Sequence, residues 1–115
     1  MGDMVNWAVS KNREYSSEKI VISPYCERKM AQRKIEEDLV RKCLTLNDCL
    51  VHVELQKNLF QGREEERYKL VYRISTKYYL IIILSYGESV LKVINTIKTS
   101  KNMESKWQKN LKKLQ

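Results

Sequence analysis

Lys69 and Arg73 stand four residues apart in a stretch, 68–75, whose side chains alternate in character. Tyr68, Leu70, Tyr72 and Ile74 share one side; Lys69, Val71, Arg73 and Ser75 share the other. In an extended strand this puts both cations on one face, two pleat repeats apart, where together they can hold a phosphate. The same pattern also describes two solvated charges on the open face of a half-exposed sheet. His52, the one histidine, lies in a second alternating stretch, 50–55, with Leu50, His52 and Glu54 expected on one face and Val51, Val53 and Leu55 on the other. An imidazole there is a candidate general acid or base, or simply a partly exposed strand residue. Alone it cannot build a zinc site.

Two further groups of cations are candidate nucleic-acid contacts. Arg28, Lys29 and Arg33, with Lys34 beside them, fall on the exposed side of an expected helix and close to its N-terminus, where phosphates bind well. Lys106 and Lys109 belong to a lysine-rich end: residues 98–115 hold six lysines against one glutamate, a local charge of +5 out of a total of +8. A charge run is also what a solvated helix face looks like. The total of 22 Lys and Arg against 14 Asp and Glu favours a polyanionic partner, RNA or other nucleic acid or an acidic protein segment, without implying sequence specificity. Tyr78, Tyr79 and Tyr86 read as sheet packing before base-stacking platforms.

Other chemistry finds no support. There is no P-loop, dinucleotide-binding glycine pattern, nucleophile elbow or H-E-x-x-H, so no cofactor and no metal is expected. Cys26, Cys43 and Cys49 are odd in number, lack C-x-x-C spacing and sit beside apolar residues. They read as small buried hydrophobes in a reducing cytoplasm rather than a zinc ribbon or disulfide scaffold; a disulfide stays open for any pair that meets in space. Residues 1–17 contain no apolar run of the secretory kind, and the apolar stretch 79–84 is too short to span a bilayer. The expectation is a soluble, cytoplasmic protein with no membrane contact.

The length of 115 residues and the 43% hydrophobic content fit one domain with its own core. Residues 1–17 read as a loosely attached arm that Trp7 anchors. Ile20, Val21 and Ile22 make a short strand. Ser23 and Pro24 supply an N-cap and a favoured first helical residue, and Cys26 and Met30 share one face of that helix. A second helix over 36–44 has Ile35, Leu39, Cys43 and Leu46 on one stripe, with Val40 and Leu44 beside it. Glu36, Glu37 and Asp38 suit its first turn and Arg41 and Lys42 its last, and Asn47-Asp48 ends it. The two helices are expected to pair antiparallel on one face of the sheet. Strands follow over 50–55, 68–75, 78–86 and 90–97, with a polar loop over 61–66 around Gly62. The 78–86 strand is apolar on both faces, as a central strand is. From about Ser100 the period turns helical, with Met103, Trp107, Leu111 and Leu114 spaced four, four and three apart. The predicted class is α+β: an N-terminal strand and two-helix hairpin on an antiparallel sheet of about four strands, closed by a basic amphipathic helix over 99–115. The single domain spans 18–115.

Two segments resemble known proteins. Ser23, Pro24, Met30, Arg33 and Ile35 match the opening of a family of small uncharacterised prokaryotic proteins allied to the BrnT and RelE toxins, whose pattern is Ser-Pro-His-Ala, then Arg-Met, then Arg-Gly-Ile. Lys29 stands for that Arg, Lys34 for the Gly and Tyr25 for the His. Tyr68-Lys69-Leu70-Val71-Tyr72 is similar to the Tyr-Arg-Leu-Val-Tyr strand of RelE-type ribosome-dependent messenger-RNA endonucleases, in which the Arg is catalytic; Lys69 takes its place. After Leu84-Ser85-Tyr86-Gly87 the RelE family has a second catalytic Arg, where this chain has Glu88 and Ser89. The resemblance covers roughly residues 18–98. It implies a toxin-type, RNA-binding protein with metal-independent messenger-RNA cleavage as its activity, an antitoxin-like partner, and Lys69 and Tyr25 as catalytic candidates, beside Arg73 and His52 from the strand pattern. In such a site the 2′-hydroxyl attacks the adjacent phosphate, cations stabilise the developing charge, and side chains move the two protons. The reading from a different class is a non-catalytic basic module using the same surface, and the terminal stripe is expected to pack on the chain's own sheet, with a homodimer contact or a protein partner as the alternatives.

Overall fold

The computed structural model describes residues 2–60 and 62–100. In chain order the elements are α1 (Gly2–Asn12), a single tight helical turn (Ser17–Lys19), β1 (Ile20–Ile22), α2 (Pro24–Arg33), α3 (Glu37–Leu46), β2 (Leu50–Phe60), β3 (Arg63–Arg73), β4 (Tyr79–Tyr86) and β5 (Leu91–Thr99). The class is α+β, as the sequence implies. The strands form one five-stranded sheet in the order β1-β5-β4-β3-β2, with β1 parallel to β5 and every other pairing antiparallel. The sheet is therefore mixed and has five strands, not an antiparallel sheet of about four, because the short N-terminal strand joins its edge. The helix expected over 99–115 lies outside the described residues except at its first positions, where Thr99 ends β5.

Local sequence accounts for the helix ends. The Ser23 hydroxyl accepts the Cys26 backbone N–H at 3.1 Å, and Pro24 opens α2. At its far end Lys34 adopts φ 57°. The Ile35 N–H then reaches the Met30 carbonyl at 2.9 Å, and the Lys34 N–H the Ala31 carbonyl at 3.4 Å. This is the two-bond left-handed cap that normally carries glycine, with Met30 and Ile35 making its apolar contact. Asn47 closes α3 from the left-handed region too, at φ 61°, with a single bond from its N–H to the Cys43 carbonyl at 2.9 Å, in a conformation asparagine tolerates.

All three α-helices among the described residues pack on one face of the sheet. Ala8 from α1, Cys26 and Met30 from α2, and Val40, Cys43 and Leu44 from α3 share one cluster with the even-numbered residues of β3 and β4. The centre of α3 is thus Val40–Cys43–Leu44, turned toward the Val40 and Leu44 side of the expected stripe: Ile35 and Cys43 are buried, Leu39 is only partly buried and Leu46 is exposed. Within the stretch 1–17, expected to be a loose arm, Gly2–Asn12 form α1, and Ala8, Asn12 and Tyr15 reach the interior. Trp7 stays exposed but packs against Tyr68 and Tyr86, with centroids 4.9 and 5.6 Å away.

The strands run longer than their apolar patterns. β2 and β3 continue as a hairpin to Gly62, whose φ of 77° suits the tight turn, so most of the expected 61–66 loop is strand. A bulge at Val51 shifts the β2–β3 register between Leu50 and His52. Leu50 therefore shares the helix-covered face with Val53, while His52 and Glu54 face the opposite way. β4 is the central strand, as expected from its two apolar faces.

Two stability measurements follow from this packing. Leu44→Ala should cost about 2–5 kcal/mol of unfolding free energy, whereas Leu46→Ala should change it by less than about 0.5 kcal/mol; urea midpoints at neutral pH compare them. Lys34→Gly should raise stability by up to about 1 kcal/mol, since it relieves a side chain held in the left-handed region. A lower midpoint for that variant would contradict the strain.

Candidate nucleic-acid interface on the open sheet face

The face of the sheet turned away from the helices carries the odd-numbered residues of β3 and β4. Their register assigns it row by row: His52 pairs with Val71, Glu54 with Lys69 and Gln56 with Arg67, while Val71 pairs with Ile81 and Lys69 with Ile83. The β2–β3 half of this face is polar and charged. The β4–β5 half is apolar, with Ile83 and Ile97 packed on Val71, Tyr79 and Ile81.

Within the polar half, His52 Nε2 and Glu54 Oε1 are 2.8 Å apart, with the histidine mostly buried and the carboxylate at the surface. Glu54 lies directly across from Lys69. Imidazole and carboxylate thus follow one another along β2, with the ammonium across from the carboxylate on β3; the carboxylate fixes the ring and the lysine supplies positive charge. That grouping can move a proton and can attract a phosphate. Arg67 adds a guanidinium beside Glu65 at 3.3 Å. Arg73 lies two pleats along from Lys69, with fully buried Val71 between them. Strand rise separates the two cations by roughly 13 Å, a spacing that suits two phosphates better than the single one expected from their shared face.

The remaining candidates lie elsewhere. Tyr25 is 48% exposed at the start of α2, with the Lys29 ammonium 5.7 Å from its ring centroid. Arg28, Lys29 and Lys34 sit on the same helix or at its end, in the layer opposite to Lys69, so the structure does not bring the Tyr25 and Lys69 groups together. Arg33 is engaged structurally: it donates to Asn95 Oδ1 at 2.9 Å and to the Thr96 carbonyl at 2.6 Å, filling the edge of β5 beyond the reach of β1. Lys106 and Lys109 lie outside the described residues. Glu88 and Ser89 are exposed in the β4–β5 turn. Tyr86 belongs to the helix-side aromatic cluster, Tyr79 is buried on the open face, and exposed Tyr78 has the Lys98 ammonium 4.9 Å from its ring centroid.

Two features escape sequence reasoning. Arg41 donates to the carbonyls of Ser17 and Ile20 at 2.6 and 2.8 Å, tying α3 to the segment that leads into β1. Asn12, Asn47 and Tyr72 form a buried polar network. Asn12 Nδ2 donates to Asn47 Oδ1 at 2.8 Å and to the Tyr72 oxygen at 3.3 Å, the Tyr72 hydroxyl donates to Asn47 Oδ1 at 3.1 Å, and the Tyr86 hydroxyl donates to Asn12 Oδ1 at 2.6 Å. The network is internally satisfied and sealed, so its role is structural. Burial pushes the Tyr72 and Tyr86 hydroxyls well above the usual tyrosine range.

The three cysteines are free. Burial, reinforced by the adjacent Cys49 thiol, pushes Cys43 up to about 12. The pair lines a cleft of about 280 Å³ together with Leu39, Lys42 and Arg73. Among the described residues no group of three or more His, Cys, Asp or Glu is placed to hold a metal, and no helix is long and apolar enough to cross a membrane. Comparison with known proteins finds no matching family model, no matching curated protein and no matching solved structure.

The buried tyrosines set a pH dependence. Their folded pKa lies above the unfolded value near 10, so their contribution is complete below about pH 10 and is lost as pH rises above it. Tyr72→Phe should cost about 1–2 kcal/mol at neutral pH through its lost hydrogen bonds. It should also lose less stability than the parent between pH 9 and 11 (about one unit either side of the unfolded value). Parallel alkaline limbs in urea titrations would exclude Tyr72 as their source.

Proposed function

We propose that the protein is a RelE/BrnT-like, toxin-type RNA-binding domain whose working surface is the open sheet face. The observation that carries this reading is the group His52, Glu54 and Lys69, with Arg67 and Arg73 flanking it, on the face opposite every described helix of a chain with net charge +8. The element order supports it: a strand, two helices and an antiparallel meander follow one another over the part of the chain that resembles the family. Lys34 adds support, because the position where the resembled pattern has Gly is one that needs a left-handed residue.

On this reading a single-stranded RNA backbone runs along β3, with Lys69 and Arg73 meeting successive phosphates. Cleavage needs no metal. The 2′-oxygen bonds to phosphorus as its proton passes to His52, Lys69 offsets the charge growing on the phosphoryl oxygens, and the bond from phosphorus to the 5′-oxygen breaks as that oxygen takes a proton from solvent water. Glu54 keeps the imidazole oriented and stabilises it once charged.

One observation favours a second reading, a non-catalytic module that binds nucleic acid or an acidic protein through the same face. Glu88 and Ser89 stand where the resembled family has its second catalytic Arg, and Tyr25 lies in the other layer. The cation set beside Lys69 is then enough to bind but short of what the family uses to cleave.

Expression in a bacterial host separates the two. Growth arrest that Lys69→Ala and His52→Ala both relieve is the outcome for a nuclease; unimpeded growth with retained RNA binding is the outcome for the module. Binding itself should fall with salt. If about four phosphates are neutralised on a single strand, the log–log slope should be near −3, and Lys69→Ala should reduce it by nearly one. Absence of RNA binding at about 50 mM salt (the low end of the usual range) would remove both RNA readings.

A further inference from the structure

Trp7 is 40% exposed although Ala8 and Asn12, at 0% and 1%, already dock the helix that carries it. Its indole does not close the edge of the core. With Tyr68, Tyr86, Lys11 and Glu66 it lines a cleft of about 270 Å³ beside the helix-covered core. The rings hold one another in place. Trp7 lies 4.9 Å from Tyr68 and, edge-on at 89°, 5.6 Å from Tyr86, and Tyr68 and Tyr86 are 5.3 Å apart. The Tyr86 hydroxyl is fixed on Asn12, so the aromatic wall is organised before anything binds. The polar wall has capacity to spare. Among the described residues, Glu66 meets the Tyr68 hydroxyl at 3.4 Å and the Lys57 ammonium at 3.9 Å, both long contacts. An ionised carboxylate has about four acceptor sites. The Lys11 ammonium is paired with Glu14 at 3.5 Å, which leaves donors for a further acceptor.

We infer that this cleft binds a guanine base. Drug-sized ligands occupy pockets from about 300 Å³ upward, so this one suits a smaller, planar group. Any nucleobase offers a π-face to Trp7; the polar wall selects among the bases. Guanine carries adjacent N–H donors at N1 and N2, which match the two oxygens of a carboxylate, and its neighbouring O6 accepts from an ammonium. Adenine and cytosine put a ring acceptor beside their amino group, and uracil has a single N–H between two carbonyls. A quaternary ammonium, another ligand of aromatic clefts, is disfavoured by the charge on Lys11. The same base occurs in a free guanine nucleotide and in single-stranded RNA. The charged group of β2 and β3 lies on the opposite face of the sheet, so this inference does not rest on the reading of that face.

Full-length Trp107→Phe protein keeps Trp7 as the one tryptophan of the original two, so stacking reads out as quenching of its emission. Guanosine monophosphate should quench it saturably. Inosine monophosphate, which lacks the 2-amino group, and adenosine monophosphate should bind about tenfold more weakly. Glu66 is exposed, so Glu66→Gln keeps the fold; it should abolish the preference for guanine. Trp7→Ala, checked by circular dichroism, should weaken calorimetric binding of guanosine monophosphate about tenfold. A guanine-centred trinucleotide that binds more tightly than the monophosphate, and loses that advantage in Glu66→Gln, assigns the base to an RNA strand; equal or weaker binding assigns it to the free nucleotide. Absence of quenching by guanosine monophosphate would overturn the inference, as would equal affinity for the three monophosphates. A guanine preference that survives Glu66→Gln would overturn it too, since another group would then be reading the base.

Discussion

The buried hydroxyl of Tyr72 is the constraint from which much of the structure follows. A phenol in a core must find partners or cost a few kcal/mol, and Asn12 and Asn47 supply them. One asparagine ends α1 and the other caps α3, so the network fixes two helix termini against the same strand. It also fixes that strand's register. A shift of one residue would take Tyr72 out of the network and at the same time exchange the two faces of β3. Lys69 and Arg73 are on the open face because Tyr72 is on the closed one.

Much of this was legible in the residues, and the reasons are local. The alternation over 68–75 assigns both faces of β3, and Ser23-Pro24 marks the start of α2 through capping chemistry that needs no tertiary help. The double apolar character of 78–86 identifies the central strand. What was not legible depends on groups brought together from afar. α1 carries polar Asn12 and exposed Trp7, so its sequence lacks a clean apolar stripe, and only the partners on α3 and β3 explain why it is buried. The polar end of the β2–β3 hairpin is strand because its backbone pairs, as Lys57 with Glu66, which composition does not reveal.

The candidate site divides along the same line. That Lys69 and Arg73 share a face follows from period two alone. That His52 and Glu54 share a face also follows from period two; that Leu50 leaves them, and that Glu54 lies across from Lys69, depends on the bulge at Val51, which changes the pairing by one residue and leaves no mark in the pattern. Before the bulge is known, Leu50 and His52 appear to belong together; with it, Leu50 goes to the core and His52 to the charged row. Lys34 shows a different kind of illegibility. Its side chain reads as one more phosphate-seeking cation, whereas its backbone angle is what the fold uses.

The division of charge between layers bears on mechanism. Facing layers of a domain stand about 10 Å apart, and the cations of α2 lie across that thickness from those of β3. A single phosphate cannot be gripped by both sets. Arg33 is further withdrawn by its bonds to Asn95 and Thr96. On the proposed reading a bound strand must therefore choose the open face, where histidine, carboxylate and lysine adjoin, or the helical edge, where charge and the Tyr25 hydroxyl are present but no imidazole–carboxylate pair stands beside them. The chemistry available on the first surface and missing from the second is the reason to place function on the sheet.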